Sequence, residues 1–192
     1  MDMGLRRGQV ELMPHRGEWD ILAQDAVRAL REALGDIAVD IQHVGSTAIP
    51  LICAKPIIDI AVGVHDVQGV VEHAPQLEHH GFILRGQDVP NQLLFVAGDF
   101  ARDTRTHHVH VVEYGGPAWR DYLDFRDYLR SFPERAREYE ACKLRLAARF
   151  SHERTRYTQG KQDTIDALLA EARHWRRLSG QDGELCAQRR PT

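Results

Sequence analysis

The segment HVGSTAIP at residues 43–50 and the segment AKPIIDI at residues 54–60 decide the fold of this chain. Together they predict the end of one strand, a tight polar turn with a single short helical turn, and the start of a second strand. Gly45 has no Cβ, so the backbone of the turn can approach a ligand closely. Asp59 follows among β-branched residues, where a buried carboxylate is costly unless it is paired or binds a metal. The pattern therefore predicts an anion-binding turn beside a strand that carries one carboxylate, Asp59.

Four side chains around this turn are candidates to bind phosphate. Ser46 and Thr47 stand at the position of a helix N-cap, and the N-terminus of a helix presents free N–H groups to an anion. Lys55 precedes the second strand, where its ammonium can neutralise a phosphate. His43 ends the first strand and is a candidate to donate to a phosphate or to position Ser46. The structural alternatives are a helix cap, a solvated lysine at a strand end, and a histidine that only supports the turn.

Length and composition indicate one ordinary globular domain. The chain has 192 residues, of which 43% are hydrophobic and 28% charged, enough for a single packed core. Its three cysteines, Cys53, Cys142 and Cys186, are widely spaced, which argues against a disulfide framework and fits a reducing cytoplasm. The net charge of -3 argues against a nucleic-acid-binding surface. No apolar run approaches the roughly 20 residues of a membrane span, and no secretory signal is evident, so we predict a cytoplasmic protein without a membrane partner.

Hydrophobic periodicity and breaker residues predict an α+β fold, a mixed β-sheet of about five strands with flanking helices and a C-terminal helical layer. The predicted strands are 37–44, 57–64, 82–85, 92–97 and 106–113. The predicted helices are 18–34, 66–80, 117–132, 133–150 and 158–178, and Pro75 is expected to kink or split the second. We expect a single domain at 1–178, with a packed arm at 1–17, the sheet part at 18–113, the helical layer at 117–178 and a mobile tail at 179–192.

The pleat of two predicted strands brings three polar side chains to one face of the sheet. Residues two apart in a strand share a face, so Asp59 lies opposite the apolar set of its own strand. His108 and His110 likewise lie opposite the valines of the last strand. If the two strands are neighbours, these groups form one polar cluster, and carboxylate and imidazole are usual ligands of divalent metals. We take Asp59, His108 and His110 as candidate catalytic residues; the alternative is that both histidines are ordinary sheet residues.

The order of these blocks along the chain resembles the GrpB-like family, a branch of the DNA-polymerase-β-type nucleotidyltransferase superfamily. The resemblance covers nearly the whole chain and is carried by Trp19, residues 43–60, residues 108–112, residues 125–129, Tyr139 with Lys143, and residues 157–161. A related domain is fused to some dephospho-CoA kinases. The resemblance implies a nucleotidyltransferase fold and an enzyme that activates a small-molecule substrate with a nucleoside triphosphate and a divalent metal, with Mg²⁺ as the expected ion.

Two departures from the family pattern bear on this expectation. The superfamily pattern implies a second carboxylate two residues after Asp59, where this chain has Ala61. Glu113 is the candidate for a third carboxylate, but it has the wrong parity relative to His110 unless a bulge intervenes. These differences argue against a two-metal mechanism and leave one divalent ion, with Asp59 and His110 as its candidate ligands. Leu51 stands where the family usually has glycine, which predicts a reshaped turn.

The helical layer contributes two further candidate ligands for an anionic substrate. Arg126 has acidic neighbours at Asp124 and Asp127, but these spacings are poor partners on a helix. We therefore expect Arg126 to point elsewhere and to serve as an anion clamp, the alternative being a structural salt bridge. Lys161 follows Gly160 at a predicted helix start, where a lysine opposes the helix dipole. An anionic partner would explain a cation at that position.

Three functions fit the sequence. The first is a nucleotidyltransferase-like enzyme that aligns a small acceptor with the α-phosphate of a nucleoside triphosphate. The second is a transferase, ligase or cyclase of small metabolites on the same scaffold, with His108 or His110 as the base. The third is a non-catalytic domain that binds a nucleotide or metabolite, which Ala61 favours. The sequence fixes neither the acceptor nor the oligomeric state.

Overall fold

The computed structural model of the protein describes residues 3–187. Its strands are β1 (Leu5–Arg6), β2 (Ala38–Val44), β3 (Ile58–Val64), β4 (Ile83–Val89), β5 (Gln92–Ala97), β6 (Thr104–Arg105) and β7 (His107–Glu113). Its α-helices are α1 (Glu18–Leu34), α2 (Ala74–His79), α3 (Pro117–Ser131), α4 (Pro133–Arg149), α5 (Arg154–Gly160) and α6 (Gln162–Ala187). Short 3-10 turns lie at Gly35–Ile37, Ser46–Ala48 and Gly69–His73.

The main sheet has five strands in the order β2-β3-β7-β5-β4, which confirms the predicted α+β fold with a mixed sheet. The pairing of β3 with β7 is parallel, and the other pairings in this sheet are antiparallel. In the β3–β7 register Asp59 lies opposite His108, and Ala61 lies opposite His110. The two strands that carry the predicted polar cluster are therefore immediate neighbours.

Both faces of the central strand β3 are covered, which explains its nearly continuous apolar sequence. On one face Ile58, Ile60 and Val62 pack into the main core with helix α1, whose Trp19 and Leu30 are buried there. The opposite face is covered by α3, under which the side chains of Val44, Ala61, Val112 and Trp119 form a second apolar cluster. A third cluster joins α3, α4 and α6 to the loop that follows the turn. This last cluster fixes the helical layer over the end of the sheet that carries Asp59.

Most of the predicted elements agree with the structure, and the disagreements are local. The segment 66–80 was predicted as a helix that Pro75 kinks or splits, and it is split into a 3-10 turn at Gly69–His73 and α2, with Pro75 in the first turn of α2. Proline is tolerated there because those N–H groups have no partner within the helix. Strand β4 continues past the predicted end at residue 85, with a register shift at Gly86.

The C-terminal helical layer differs from its predicted limits at both ends. Helix α5 was not predicted, and α6 begins at Gln162 and extends to Ala187, beyond the predicted helix at 158–178. The rest of the predicted tail, residues 188–192, lies outside the described residues. No helix within residues 3–187 combines the length and the apolar character that crossing a membrane requires.

Candidate functional site

The turn after β2 brings its backbone against the carboxylate of Asp59. Gly45 has a φ of 69° and a ψ of -169°, a combination that is almost confined to glycine. A Cβ at this position would lie 2.5 Å from Oδ2 of Asp59 and 2.9 Å from its Cβ. Ser46 begins the 3-10 turn that follows. The glycine therefore allows the turn and the acidic strand to approach each other, as its place in the sequence predicted.

Asp59, His108 and His110 converge on one face of the sheet. The Oδ1 atom of Asp59 lies 3.3 Å from Nδ1 of His108 and 3.5 Å from Nε2 of His110. The parallel register places the first histidine directly beside the aspartate and the second two residues further along the same face. The predicted convergence of these three side chains is confirmed. Their catalytic roles stay predictions.

Hydrogen bonds around His110 determine which of its nitrogen atoms carries the proton. The side-chain amide of Gln92 donates to Nδ1 of His110 at 3.0 Å and also contacts the hydroxyl of Tyr122 at 3.2 Å. The proton of a neutral His110 is therefore on Nε2, which faces Asp59. Burial raises the pKa of Asp59, but the bonds from His108 and His110 outweigh burial and hold that pKa well below its usual value. Asp59 is therefore an ionised acceptor for both imidazoles.

A cavity of about 300 Å³ opens beside Asp59 and is lined by cationic side chains. Four of them surround it: Lys55, Lys143, Arg154 and Lys161. Asp59 supplies the one carboxylate among the described residues that line this cavity. We call it the cationic cavity. A chamber with several positive charges and one carboxylate is suited to a ligand with several negative charges.

The ring of Tyr157 lies close to two of these cations. The Nζ atoms of Lys55 and Lys161 lie 4.4 Å and 5.2 Å from the centroid of the ring, within the range of a cation–π interaction. Burial lowers the pKa of Lys55 to about 8, and the charges of Lys161 and Arg154 act in the same direction. Burial also lowers the pKa of Lys161. The two ammonium groups are thus held close to like charges, which a bound anion would neutralise.

Lys143 is the most deeply buried of the four cations. Its residue is 1% exposed, and its Nζ donates to the carbonyl of Cys53 at 2.5 Å and lies 4.7 Å from the ring centroid of Tyr139. Burial lowers the pKa of Lys143 to about 7, and the charge of Lys161 acts in the same direction. Near pH 7 the charged and the neutral form of Lys143 therefore have similar free energies.

A second cavity, of about 570 Å³, continues from the first on the other side of Asp59. Both cavities are lined by Ser46, Asp59, His110 and Lys161. The remaining walls are largely apolar and come from α3, α4, α6 and the β4–β5 hairpin; they include Val89, Ala118, Tyr122, Phe125, Tyr139, Ile165 and Leu169. We call this the apolar cavity. A molecule that occupied both cavities would pass beside Asp59, where the two cavities meet.

Comparison with known proteins assigns the chain to a family. The family model described as GrpB protein matches residues 9–171. This chain belongs to the GrpB family. It is 36% identical over 172 residues to the glutamate-rich protein GrpB of Alkalihalophilus pseudofirmus, covering 88% of this chain and 99% of that protein. It is 34% identical over 170 residues to the UPF0157 protein YqkA of Bacillus subtilis, covering 88% of this chain and 49% of that protein, so it spans about half of YqkA.

A solved structure from the same family has the same fold. The crystal structure of conserved protein GrpB from Enterococcus faecalis superposes with a TM-score of 0.79 at 27% sequence identity, and the match covers 86% of this chain and 99% of that chain. A weaker likeness, with a TM-score of 0.49 at 13% identity, is to a structure of Cid1 in complex with its short product ApU. The family of the chain and its fold are thus established, and its reaction has to be argued from the site.

Within this GrpB fold, His43 supports the turn from behind. Its Nε2 lies 2.9 Å from the hydroxyl oxygen of Thr47, and its Nδ1 lies 3.7 Å from Asp20. Burial lowers the pKa of His43 to about 4, so the imidazole is neutral near pH 7. His43 lines neither the cationic nor the apolar cavity. Of its two predicted roles, the structure favours positioning of the turn over direct contact with phosphate.

Arg126 lies on the far side of the turn from both cavities. Its guanidinium donates to Asp127 at 2.8 Å, to the side chain of Gln42 at 2.9 Å and to the carbonyl of His43 at 3.0 Å. The expectation that Asp127 is a poor partner is wrong, because the long arginine side chain bends back to reach its neighbour. Arg126 therefore ties α3 to the end of β2. The predicted role as an anion clamp in the cleft has no support from this position.

Three other positions named from the sequence have clear placements. Glu113, the candidate third carboxylate, is exposed at the end of β7 opposite Val64, and it lines neither cavity. Lys161 lies at the junction of α5 and α6, next to a helix start as predicted, and lines both cavities. Leu51 is 58% exposed in the loop that follows the turn.

Sequence reasoning missed part of the cationic cavity. Lys143 and Tyr157 were assigned no role in binding, and Arg154 lies in a segment for which no element was predicted. One signal was available for Lys143. It shares the buried face of α4 with Ala136 and Tyr139, and a lysine on an apolar helical face requires a polar partner or a ligand.

The side-chain atoms of Asp59 and His110 that face each other are poorly suited to bind a divalent metal ion. Oδ1 of Asp59 already accepts from two imidazoles, and the His110 nitrogen that faces it carries a proton. Mg²⁺ prefers oxygen ligands, and Ala61 replaces the second carboxylate. Within the described part of the chain, no group of three or more His, Cys, Asp or Glu side chains is arranged to hold a metal ion. The ligand set that the resemblance implies is therefore incomplete here.

Proposed function

We propose that this GrpB-family protein is an enzyme that binds a nucleoside triphosphate and uses it to activate or modify a small molecule. One observation carries the proposal: a Gly-Ser turn, a cluster of cations and an Asp–His pair meet at the junction of two cavities. The cationic cavity would receive the phosphates, and the apolar cavity would receive the small molecule. The reacting atoms would then lie beside Asp59, where both cavities share their lining.

The turn and the cations would bind and stabilise the phosphates. The hydroxyl of Ser46 and the N–H groups at the start of the 3-10 turn are donors suited to phosphate oxygens. Lys55 and Lys161 would neutralise the negative charge that develops on the leaving group. Because both ammonium groups are already held in place over Tyr157, little side-chain freedom would be lost on binding.

His108 is the better candidate for the general base. Its Nδ1 faces the ionised carboxylate of Asp59, which favours the tautomer with the proton on Nδ1 and leaves Nε2 as an acceptor. Both nitrogen atoms of His110 are engaged, one by Gln92 and the other by Asp59. His108 lines the cationic cavity and not the apolar one, so the attacking hydroxyl or amine would reach past Asp59 to its Nε2. His108 would then accept the proton of that group, and Asp59 would stabilise the resulting imidazolium. His110 would then be a positioning residue that orients Asp59.

A second candidate function is transfer, ligation or cyclisation of a phosphate-bearing metabolite on the same scaffold, without nucleotidyl transfer. Ala61 favours it, because this residue is fully buried and packs with Val112 and Trp119 where the superfamily pattern implies a carboxylate. Non-catalytic binding of a nucleotide or metabolite is the third candidate. Turnover that requires a nucleoside triphosphate distinguishes the first function from the second, and turnover of any substrate distinguishes both from the third.

The exchange of His108 for glutamine tests the proposed function. We expect His108→Gln to reduce turnover by about 100- to 10,000-fold, the usual contribution of a general base, while the Kd for ATP changes little. Turnover is measured as release of pyrophosphate or phosphate from ATP in the presence of a panel of small amines, alcohols and carboxylic acids. His107→Gln is the matched control, because His107 is the preceding residue of β7 and points to the opposite face. Equal activity of the two variants, or no ATP-dependent turnover in the unchanged protein, contradicts the proposal.

A further inference from the structure

We propose that this chain binds the phosphates of its substrate through lysine ammonium groups that take the place of a metal ion held by Asp59. The inference rests on the proposed function, in which the cationic cavity receives a nucleoside triphosphate. To the role that the proposed function gives Lys55 and Lys161 it adds that the lysines hold the phosphates without a metal ion bound to Asp59.

The use of lysine in this chain points to the cationic cavity. The sequence contains three lysines, Lys55, Lys143 and Lys161, among 25 basic residues, so all the other basic residues are arginines. All three lysines line this one cavity. Arg154 is the one arginine among the described residues that line this cavity, and the other three cations there are the three lysines of the chain. An ammonium is a compact point charge with three donors, which suits a phosphate in a confined space better than a planar guanidinium does.

The three lysines come from separate parts of the chain. Lys55 precedes β3, Lys143 projects from α4, and Lys161 lies between α5 and α6. Their convergence cannot result from a local charge run or a solvated helix face. The ammonium groups of Lys55 and Lys161 lie close to the aromatic ring of Tyr157, and Lys143 is almost completely buried. Holding one buried and two half-buried ammonium groups around the single carboxylate that lines the cavity is costly unless a polyanion completes the site.

The carboxylate of Asp59 is already committed within the protein. Its Oδ1 atom receives both imidazoles, and its Oδ2 atom lies so close to the Gly45 backbone that a Cβ there would be 2.5 Å away. For His110 to become a metal ligand, its proton would have to leave Nε2 and its bond from Gln92 would have to break. Asp59 is therefore better placed to hold the two histidines than to hold a cation for the substrate.

The sign of one mutational effect separates the two ways of binding phosphate. If a metal on Asp59 holds the phosphates, Asp59→Asn removes the metal and weakens binding. If the lysines hold them, Asp59→Asn removes a negative charge that repels the phosphates, and binding becomes tighter. The amide is nearly isosteric with the carboxylate, so the comparison changes charge with little change of shape.

The test is titration calorimetry with ATP and with inorganic triphosphate, each in EDTA and in Mg²⁺. We expect both probes to bind in EDTA, with Kd values within about threefold of those in Mg²⁺, and Asp59→Asn to bind at least as tightly as the unchanged protein. Lys55→Met and Lys161→Met should each weaken binding in EDTA by about 10- to 100-fold, the usual loss for a hydrogen bond to a charged group. Arg28→Met is the control, since Arg28 is exposed on α1 in a pair with Asp25. Thermal unfolding of each variant checks that it is folded.

The outcomes distinguish this inference from the proposed function. Binding that requires Mg²⁺ and is abolished by Asp59→Asn overturns the inference and leaves the proposed function standing. Unchanged affinity in both lysine variants, with ATP still bound, also overturns it. Failure of ATP to bind under either condition overturns the proposed function together with the inference.

The rarity of lysine offers an independent readout of the same site. An amine-selective reagent can modify only three side chains in this protein besides the terminal amine. We expect inorganic triphosphate in EDTA to protect Lys55 and Lys161 from modification by at least about threefold, as measured by peptide mass spectrometry. Protection that appears only when Mg²⁺ is added contradicts the inference.

Discussion

At the scale of single residues, Gly45 shows how one backbone position sets the geometry of the site. Its φ and ψ fall in a region that residues with a Cβ rarely adopt, and its missing Cβ leaves room for Asp59. The backbone angles of Gly45 set the shape of the turn, and its missing Cβ allows the carboxylate of Asp59 to lie against that turn. A substitution here should therefore harm the site more than it harms the fold.

Gly45→Ala can be compared with Gly115→Ala, because both glycines have a φ of 69°. A Cβ at Gly115 meets no atom within 4 Å, whereas at Gly45 it meets Asp59. We expect Gly115→Ala to lose about 1–2 kcal/mol in free energy of unfolding, the cost of a positive φ in a residue with a Cβ. Gly45→Ala should lose more, because its Cβ also meets Asp59 at 2.5 Å. In addition, we expect Gly45→Ala to bind ATP at least about tenfold more weakly. Urea unfolding and calorimetry measure the two effects, and equal ATP affinities in the two variants would refute the role assigned to Gly45.

Single residues also show what the sequence could and could not predict. The faces on which Asp59, His108 and His110 lie were predictable, because the period of a strand is two. Their convergence also required β3 and β7 to be neighbours, a condition that the structure meets. The ion pair of Arg126 with Asp127 was not predictable, because the path of a long side chain depends on neighbours from other elements, here Gln42 and His43. For the same reason, the sequence did not show that the three lysines line one cavity.

At the scale of elements, the five strands and the long helices could be predicted because each has its own apolar pattern. Helix α5 could not, because its sequence, RTRYTQG, carries one buried side chain, Tyr157, and no apolar stripe. Its place is set by packing against α4 and by the cations around that tyrosine. This short helix supplies Arg154 and Tyr157 to the cationic cavity, so the least predictable element of the helical layer is also part of the candidate site.

A group of ion pairs between α3 and α6 holds the walls of the apolar cavity together. Arg173 binds Asp121 through two hydrogen bonds of 2.8 Å and 2.7 Å. Arg176 binds both Asp124 and Asp127 at 2.7 Å. Asp124 is buried, and Arg176 donates a hydrogen bond to its carboxylate. The pairs lie on the same two helices as the apolar wall residues Phe125 and Ile165 and fix their separation.

Arg176→Ala tests this connection. We expect a loss of about 1–3 kcal/mol in free energy of unfolding, because the buried side chain of Asp124 would lose its hydrogen bond from Arg176. Arg28→Ala is the control: it breaks an exposed pair with Asp25 and should cost at most about 0.5 kcal/mol. Urea unfolding of both variants gives the comparison. Equal losses would mean that the ion pairs of α3 and α6 act as ordinary surface pairs.

At the scale of the whole molecule, the charge distribution is uneven. The chain has a net charge of -3, yet its three lysines are concentrated around one cavity. A protein with a small net negative charge and a cationic chamber attracts a polyanion at that one place. Such a distribution favours a small polyanionic ligand that fits the chamber over a long nucleic acid, which would also have to contact the surface outside it.

The same distribution makes the protein's stability depend on pH in a defined direction. Burial lowers the pKa of Lys143 to about 7 from an ordinary value of 10.5; Lys161 lowers it further, while Glu140, Cys53 and Cys142 oppose the shift. Between these two pH values the unfolded chain binds more protons at this lysine than the folded protein does. The contribution of Lys143 to the free energy of unfolding therefore rises with pH over this range. Lys143→Met should remove that rise, and urea unfolding at about pH 7 and pH 9 measures it.

Binding of a polyanion should depend on pH in the opposite direction. Phosphates favour the protonated lysines, so they raise the pKa values of Lys55 and Lys143 from about 8 and about 7. ATP should therefore bind more tightly at about pH 7.5 than at about pH 9, and binding near pH 8 should take up protons. Calorimetry in two buffers with different ionisation enthalpies measures the uptake. In Lys143→Met the uptake should fall; an affinity that stays constant between these pH values would mean that the lysines do not bind the phosphates.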